Sequence, residues 1–324
     1  MTTLVTGATG FVGNNVVRLL RNAGENVRVL VRESSNRRPL AGLELEVVGG
    51  DVCDIESVRG AMKGISQVVH AAARVHIGWT GLEAHRATNF EGTRNIAIAA
   101  REANAKMVHV SSVDALGVGS RDLPADEESP RQGKIPCSYV ISKREAEEAF
   151  LAEVNRGLEG VVVNPGFMLG PWDWKPSSGR MLLQVAQRFT PCAPAGGFSA
   201  CDVRDVAAGI LSALARGTPG SNYILGGENL TYKELWKRIA IITGGTPPFC
   251  HAGPMLRCVV GCAGDVIGKL TGREPDINSA AVGMSTLYHY YSIARAQTEL
   301  GYVVRPIEES IADAWEWFQA EGYV

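Results

Sequence analysis

The chain of 324 residues lacks any run of 18 uncharged apolar residues. A membrane-spanning helix needs about 20 such residues, so a span is excluded. The most apolar late stretch, residues 255–270, is interrupted by Arg257, Asp265 and Lys269 and leaves only peripheral lipid contact as a membrane reading. Neither sign of charge is in excess: 32 Lys and Arg against 34 Asp and Glu give a net charge of −2. No global field therefore draws the chain to nucleic acid. Cysteine is sparse, with seven scattered residues. Cys258 and Cys262 are one helical turn apart, but no second pair completes a metal site. Reduced thiols, no disulfide framework and no metal are expected. No basic-then-apolar leader opens the chain, because a strand-like TLVTG begins at residue 3, and a cytoplasmic location is expected. No internal repeat or low-complexity tract is visible.

What is present is an alternation. TLVTG (3–7), VRVLV (27–31), LEVVGGD (45–51), QVVHAAA (67–73) and MVHVSSV (107–113) are β-branched or apolar runs of strand length. Between them, 11–23, 55–62 and 82–103 carry helical periodicity, and a helix over 139–155 leads to VVVNP (161–165). Strand and helix in alternation predict right-handed crossovers and a parallel sheet. The fold class is α/β, a Rossmann doubly wound parallel sheet with a smaller C-terminal substrate-binding lobe. After Pro165 the texture changes to Gly- and Pro-rich loops and shorter elements. Residues 1–165 are read as the dinucleotide-binding domain and 166–324 mainly as the lobe, with 200–225 returning to the sheet.

Residues 6–13 read TGATGFVG. Gly7, Gly10 and Gly13 let a backbone turn tightly and approach another group closely. In a strand–turn–helix setting the helix N-terminus favours an anion, so Gly7, Thr9, Gly10, Phe11, Val12 and Gly13 are predicted to cradle a pyrophosphate. The second strand ends in Arg32, Glu33, Ser34 and Ser35, then Arg37 and Arg38. An acidic residue there would hold a ribose 2′-hydroxyl, whereas a guanidinium suits a 2′-phosphate. Arg32, helped by Arg37, favours NADP(H) over NAD(H). Glu33 could still serve NAD, and the arginines could be solvated loop charges.

YVISK (139–143) places Tyr139 and Lys143 on one helix face. An ammonium there lowers the cost of ionising the phenol and moves it toward acid–base chemistry. MVHVSSV ends a strand with Ser111 and Ser112, at the carboxyl edge where open α/β sheets bind ligands.

With GD (50–51), HAAA (70–73), NFEGT (89–93), SSVDALG (111–117), NPGFMLGP (164–171) and DVRDVA (202–207), the chain resembles the extended short-chain dehydrogenase/reductase superfamily over nearly its whole length. Within it, the chain looks most like the dihydroflavonol reductase-like group, including hopanoid-associated members labelled sugar epimerases. The resemblance implies a triad of Ser112, Tyr139 and Lys143, with Tyr139 the proton donor in carbonyl reduction. Lys143 would bind the nicotinamide ribose and depress the tyrosine pKa. Asp51 and Val52 would flank the adenine, and Ala71, Ala72 and Ala73 would line the cofactor. Asn164, Pro165, Gly166 and Phe167 would lie beside the nicotinamide. Asn89 would organise the site or serve in packing.

Departures from the pattern bear on the substrate. Dehydratases of the superfamily carry an Asp-Glu pair after the catalytic Ser/Thr, where this chain has Val113 and Asp114. Nucleotide-sugar epimerases carry a diphosphate-gripping arginine where this chain has Phe198, with Arg180 and Arg188 as possible substitutes. Asp114, Met168, Trp172 and Trp174 are candidate substrate contacts, and two tryptophans in a Gly/Pro loop are costly to leave exposed. The readings are a reductase of a mostly apolar carbonyl compound, a sugar epimerase, or an NADP-binding protein without chemistry. The expected partner is a small molecule, and the expected state a monomer or homodimer.

Overall fold

The structure, a computed structural model, describes residues 1–324. The first half is β1 (Thr2–Thr6), α1 (Phe11–Asn22), β2 (Asn26–Val31), β3 (Glu46–Gly49), α2 (Ile55–Met62), β4 (Gln67–His70), α3 (Leu82–His85), α4 (Gly92–Glu102), β5 (Lys106–Val110), α5 (Ser138–Val154) and β6 (Gly160–Pro165). The second half is β7 (Phe167–Leu169), α6 (Gly179–Gln187), β8 (Cys192–Ala193), β9 (Gly197–Asp202), α7 (Val203–Arg216), β10 (Asn222–Leu225), β11 (Glu228–Thr231), α8 (Tyr232–Thr243), β12 (Cys250–His251), α9 (Pro254–Thr271), α10 (Ser279–Met284), β13 (Tyr288–His289) and α11 (Ile307–Ala320).

Seven parallel strands form one sheet in the order β10-β6-β5-β4-β1-β2-β3. Burial on both faces explains why its central strands read as apolar runs and not as alternation. On one face, Val16 and Val17 of α1 and Ile210 of α7 pack on Val5, Val29 and Tyr223. On the other, Val58 of α2, Ile96 of α4 and Phe150 of α5 cover Leu4, Val68 and Val162. The strand order turns between β1 and β4, so a crevice opens at their carboxyl ends, where such sheets bind ligands.

The smaller sheet runs β11-β9-β13 with β7 also on β9, and β8 pairs with β12. Leu182 of α6, Leu235 and Ile239 of α8 and Ile311 and Phe318 of α11 build its core. The segment α7–β10 lies against and within the large sheet.

Two differences from the sequence reading have local causes. The strands expected at 45–51, 67–73 and 107–113 end early, because the residues after Gly49, His70 and Val110 turn out to form the crevice rim. The single helix expected over 82–103 contains a wide turn, Arg86–Glu91, of π-helical hydrogen bonding between α3 and α4. Residues 254–271 form a helix, α9, whose buried positions are Gly261 and Gly264.

Candidate active site

The glycine turn joins β1 to α1. Gly7 has φ +71°, and a Cβ there would sit 2.5 Å from the Ala71 carbonyl carbon. A Cβ on Gly13 would lie 2.3 Å from the Gly7 oxygen, so both glycines are required for close packing of turn, strand and helix. Gly10 is different: it is exposed and caps α1 with no side-chain hydrogen bond, and no acidic residue follows in the first turn. The α1 amides are thus left to an anion. Thr9, Phe11 and Val12 are half-buried around them.

Arg32 and Arg37 are exposed and enter no ion pair, whereas Arg38 is held by Glu321 at 2.7 Å and lies 5.0 Å from the Trp174 ring centre. Asp51 is half-buried, its amide donating to Ser57 Oγ at 3.0 Å, and Val52 is buried against Gly92. Ala71 and Ala72 hang from β1 by hydrogen bonds to the Thr6 carbonyl and hydroxyl at 3.2 and 3.3 Å. Uncapped α1 amides and a close-packed glycine turn fit the pyrophosphate of a dinucleotide.

A cleft of about 590 Å³ opens beyond the ends of β4, β5 and β6. It is lined by Ala71, Ala73, Ser112, Asp114, Tyr139, Lys143, Pro165, Gly166, Phe167 and Met168 among the sequence-derived candidates. Ser111 also lines it, with a buried hydroxyl that has no partner. The Ser112 hydroxyl accepts from the Asp114 amide at 3.1 Å and favours ionisation of the Tyr139 phenol. Burial, reinforced by Asp114, nevertheless drives the tyrosine pKa up. The Lys143 ammonium donates to the Val110 carbonyl at 2.9 Å, and burial lowers its pKa to about 8. The expected depression of Tyr139 by Lys143 is not among the effects on the phenol here: burial and Asp114 raise its pKa, and the Ser112 hydroxyl lowers it.

Three supporting residues escaped the sequence reading. Glu147 lies one turn beyond Lys143 on α5, fully buried and held by Arg131 and Asn164 at 2.6 Å each. Its charge opposes the desolvation of Lys143. The i, i+4 spacing of opposite charges was the available signal. Lys134 and His289 come from distant segments and left none. Lys134 Nζ donates to Asp114 Oδ1 at 2.9 Å and to His289 Nδ1 at 2.5 Å, while His289 Nε2 donates to the Met284 carbonyl at 3.0 Å. His289 is therefore neutral with its proton on Nε2, and burial lowers its pKa to about 4. Asp114 is the half-buried end of this network, its pKa held below the ordinary value by the Lys134 ammonium against the effect of burial.

Asn89 stands behind the site, outside the cleft lining. Its oxygen accepts from the Arg74 amide at 2.7 Å, and its nitrogen donates to the Arg74 carbonyl at 3.0 Å and Ser142 Oγ at 2.9 Å. Trp172 and Trp174, expected as substrate contacts, do not line the cleft. Trp172 lies 3.3 Å under the Arg18 guanidinium of α1, and both tryptophans pack on Trp317. They join the lobe to the large sheet because the Gly/Pro loop folds away from β6. The cleft's apolar wall comes instead from Phe167 stacked on Phe198 at 4.4 Å, with Tyr232, Met181 and Met284 nearby. Arg180 lines the cleft, paired with Asp276, whereas Arg188 does not line it. No group of three or more His, Cys, Asp or Glu side chains is arranged to hold a metal ion.

Comparison with known proteins agrees with this geometry. The model of the NAD dependent epimerase/dehydratase family matches residues 3–226. A protein of Synechocystis, provisionally named a dihydroflavonol 4-reductase, is 38% identical over 99% of this chain and 95% of its own length. Sterol demethylase protein B of Methylococcus capsulatus is 32% identical over the whole of both chains. The crystal structure of gox2253 superposes with a TM-score of 0.86 and 36% identity, over 99% of this chain and 98% of that one. The chain belongs to the NAD-dependent epimerase/dehydratase family and is an NAD(P)-dependent enzyme of the extended short-chain dehydrogenase/reductase type.

Proposed function

We propose that this enzyme reduces a ketone or aldehyde on a mostly apolar small molecule, prefers NADP(H), and uses Tyr139 as its proton donor. The observation that carries the reading is the cleft's division into a polar end, Ser112–Tyr139–Lys143, and an aromatic wall, Phe167–Phe198–Tyr232. A diphosphate would find Phe198 where a guanidinium is needed, while an apolar body buries favourably there. The α1 amides, Arg32, Lys143 and the Pro165–Phe167 segment would hold the dinucleotide. Once bound, it supplies a hydride to the carbonyl carbon.

The residues of the chain handle the proton. The Ser112 hydroxyl orients the carbonyl oxygen beside the phenol. The raised pKa of Tyr139 keeps the phenol protonated at neutral pH, the state that an acid needs. Lys143, with a pKa near 8, is charged at neutral pH and steadies the phenolate formed after transfer. All seven cysteines are unpaired, which supports action in the cytoplasm. An epimerase reading draws on Arg180, but that guanidinium is already paired with Asp276.

The test is a carbonyl panel (flavanonols, steroids, isoprenoid ketones, UDP-sugars) followed by NADPH absorbance. Net NADPH consumption on an apolar ketone is expected, abolished by Tyr139→Phe with cofactor affinity retained. Arg32→Asp is expected to weaken NADPH far more than NADH. A converted UDP-sugar without net consumption would favour epimerisation, and equal loss of both cofactors would refute the Arg32 assignment.

A further inference from the structure

The helix α9 is amphipathic in the wrong sense for a surface helix. Its inward face is made of glycine. A Cβ on Gly264 would lie 2.0 Å from the Ile277 carbonyl oxygen, and one on Gly261 would lie 3.1 Å from Ser279 Cα. Asp265 also faces this contact, accepting from the Ser279 amide at 2.9 Å. The large apolar side chains point the other way. Met255 is 82% exposed, Leu270 81% and Val259 60%, with Leu256, Val266 and Ile267 about half exposed or more. Helix packing on a monomer buries such residues and exposes the small ones. A contiguous apolar surface of this kind on a folded chain marks contact with an apolar partner.

Two observations say what covers it. First, the charges are sorted. Arg257, Lys269 and Arg273 on and just after α9 form no ion pair, whereas the neighbouring carboxylates are already engaged. Glu274 accepts from the Trp79 and Thr80 amides and the Thr80 hydroxyl at 2.6–3.0 Å, and Asp276 is paired with Arg180. The apolar face is therefore flanked by free cations and no free anion. Second, the face is continuous with the cleft mouth. Ile277, against which Gly264 packs, and Val75 both line the cleft and are more than half exposed. Trp79 stands beside them, 48% exposed, its indole N–H donating to Ser279 Oγ at 2.7 Å. A half-exposed tryptophan with its polar edge satisfied is the side chain that suits a membrane–water boundary.

We infer that α9 is an interfacial anchor: it lies in the surface of an anionic lipid bilayer and brings the mouth of the catalytic cleft onto the membrane. The apolar face enters the headgroup–acyl boundary while Arg257, Lys269 and Arg273 meet lipid phosphates. No helix of the chain is long and apolar enough to cross a membrane, so the attachment is peripheral and reversible. The inference stands on the surface of the chain and does not depend on the reductase reading.

The test is co-sedimentation of the full chain with vesicles of phosphatidylcholine containing one quarter phosphatidylglycerol, beside vesicles of phosphatidylcholine alone. Light scattering of the lipid-free protein runs in parallel. Wild type is expected to sediment with the anionic vesicles, less with the neutral ones, and less at high salt. The exposed-face variant Val259→Glu/Val266→Glu/Leu270→Glu is expected to lose at least about tenfold in binding, with unchanged NADPH affinity and melting temperature. A wild type that stays in the supernatant with both vesicles would overturn the anchor, as would a triple variant that binds equally well. So would a wild-type dimer that the variant converts to monomer, since a second copy would then cover the face. None of these readouts uses turnover, so failure here is distinguishable from failure of the proposed reaction.

Discussion

At the scale of single residues, the site is defined by charges taken out of water and by what compensates them. Asp114, Lys134 and His289 form one unit in which only the lysine is a full counter-charge. Removing one partner of a buried pair leaves the other uncompensated, at about 3–5 kcal/mol. Lys134→Met is therefore expected to lower unfolding free energy in urea by roughly that amount, and Asp114→Asn/Lys134→Met to recover much of it. Additive losses in the double variant would show that the two groups do not compensate each other. The same carboxylate supports the charge of Lys143, whose pKa burial lowers to about 8. The phenolate formed on proton transfer needs that ammonium, so activity falls as pH rises through about 8. Asp114→Asn, which removes a negative neighbour, is expected to move the alkaline limb of kcat/KM to lower pH. An unmoved limb would mean that Asp114 does not act on the lysine. The pair Tyr139–Lys143 was legible because helix geometry alone brings i and i+4 together. Lys134 and His289 were not, since 155 positions of chain separate two side chains in direct contact.

At the scale of elements, the sheet was readable because each strand buried on both faces is a local apolar run, and each covering helix has its own period. What local periodicity cannot show is an interruption that preserves helicity. The turn Arg86–Glu91 keeps residues 82–102 helical while adding a residue to the turn, and it sends Asn89 inward to Arg74 and Ser142. Wide turns of this kind are frequently found at functional sites. Here the turn ties the loop after β4 to the helix carrying Tyr139. Asn89→Ala removes the hydrogen bonds to the Arg74 amide and carbonyl; Arg74 is exposed, water replaces part of what is lost, and about 1–3 kcal/mol in all is expected. The expected result is a stability loss in that range, with a lower kcat at unchanged NADPH affinity. Loss of NADPH affinity with kcat intact would instead place Asn89 on the cofactor. The tryptophan pair shows the complementary failure. Composition marked Trp172 and Trp174 as side chains that need cover, but the cover came from Arg18 and Trp317, far away in sequence.

At the scale of the whole molecule, folding stores several histidines as neutral groups. His70 is buried between the Thr6 and Thr93 hydroxyls, at 2.7 and 3.0 Å, and its pKa falls to about 3. His109 stacks between His70 and Phe150 with neither ring nitrogen hydrogen-bonded, and burial holds its pKa well below the usual value. His289, near 4, is the third. In the unfolded chain each titrates near 6.5, so between that value and the folded pKa the unfolded state binds more protons. Stability is then intact above about pH 6.5 and falls as pH drops below it. From pH 7 to 5.5 the loss is roughly 1.3 kcal/mol per histidine, or about 4 kcal/mol for the three. The buried carboxylates whose pKa is lowered, Asp114 and Asp202, act in a separate window. Their contribution persists down to the ordinary carboxylate range near pH 4 and is lost only below it. Histidine therefore dominates the weakly acid range. His109→Phe keeps a ring in the stack and removes two nitrogens that bond to nothing. It is expected to match or exceed wild-type stability at pH 7 and to retain roughly 1 kcal/mol more of it at pH 5.5. Urea titrations of both proteins at the two pH values measure this directly, and parallel losses would show that His109 is not held neutral by the fold.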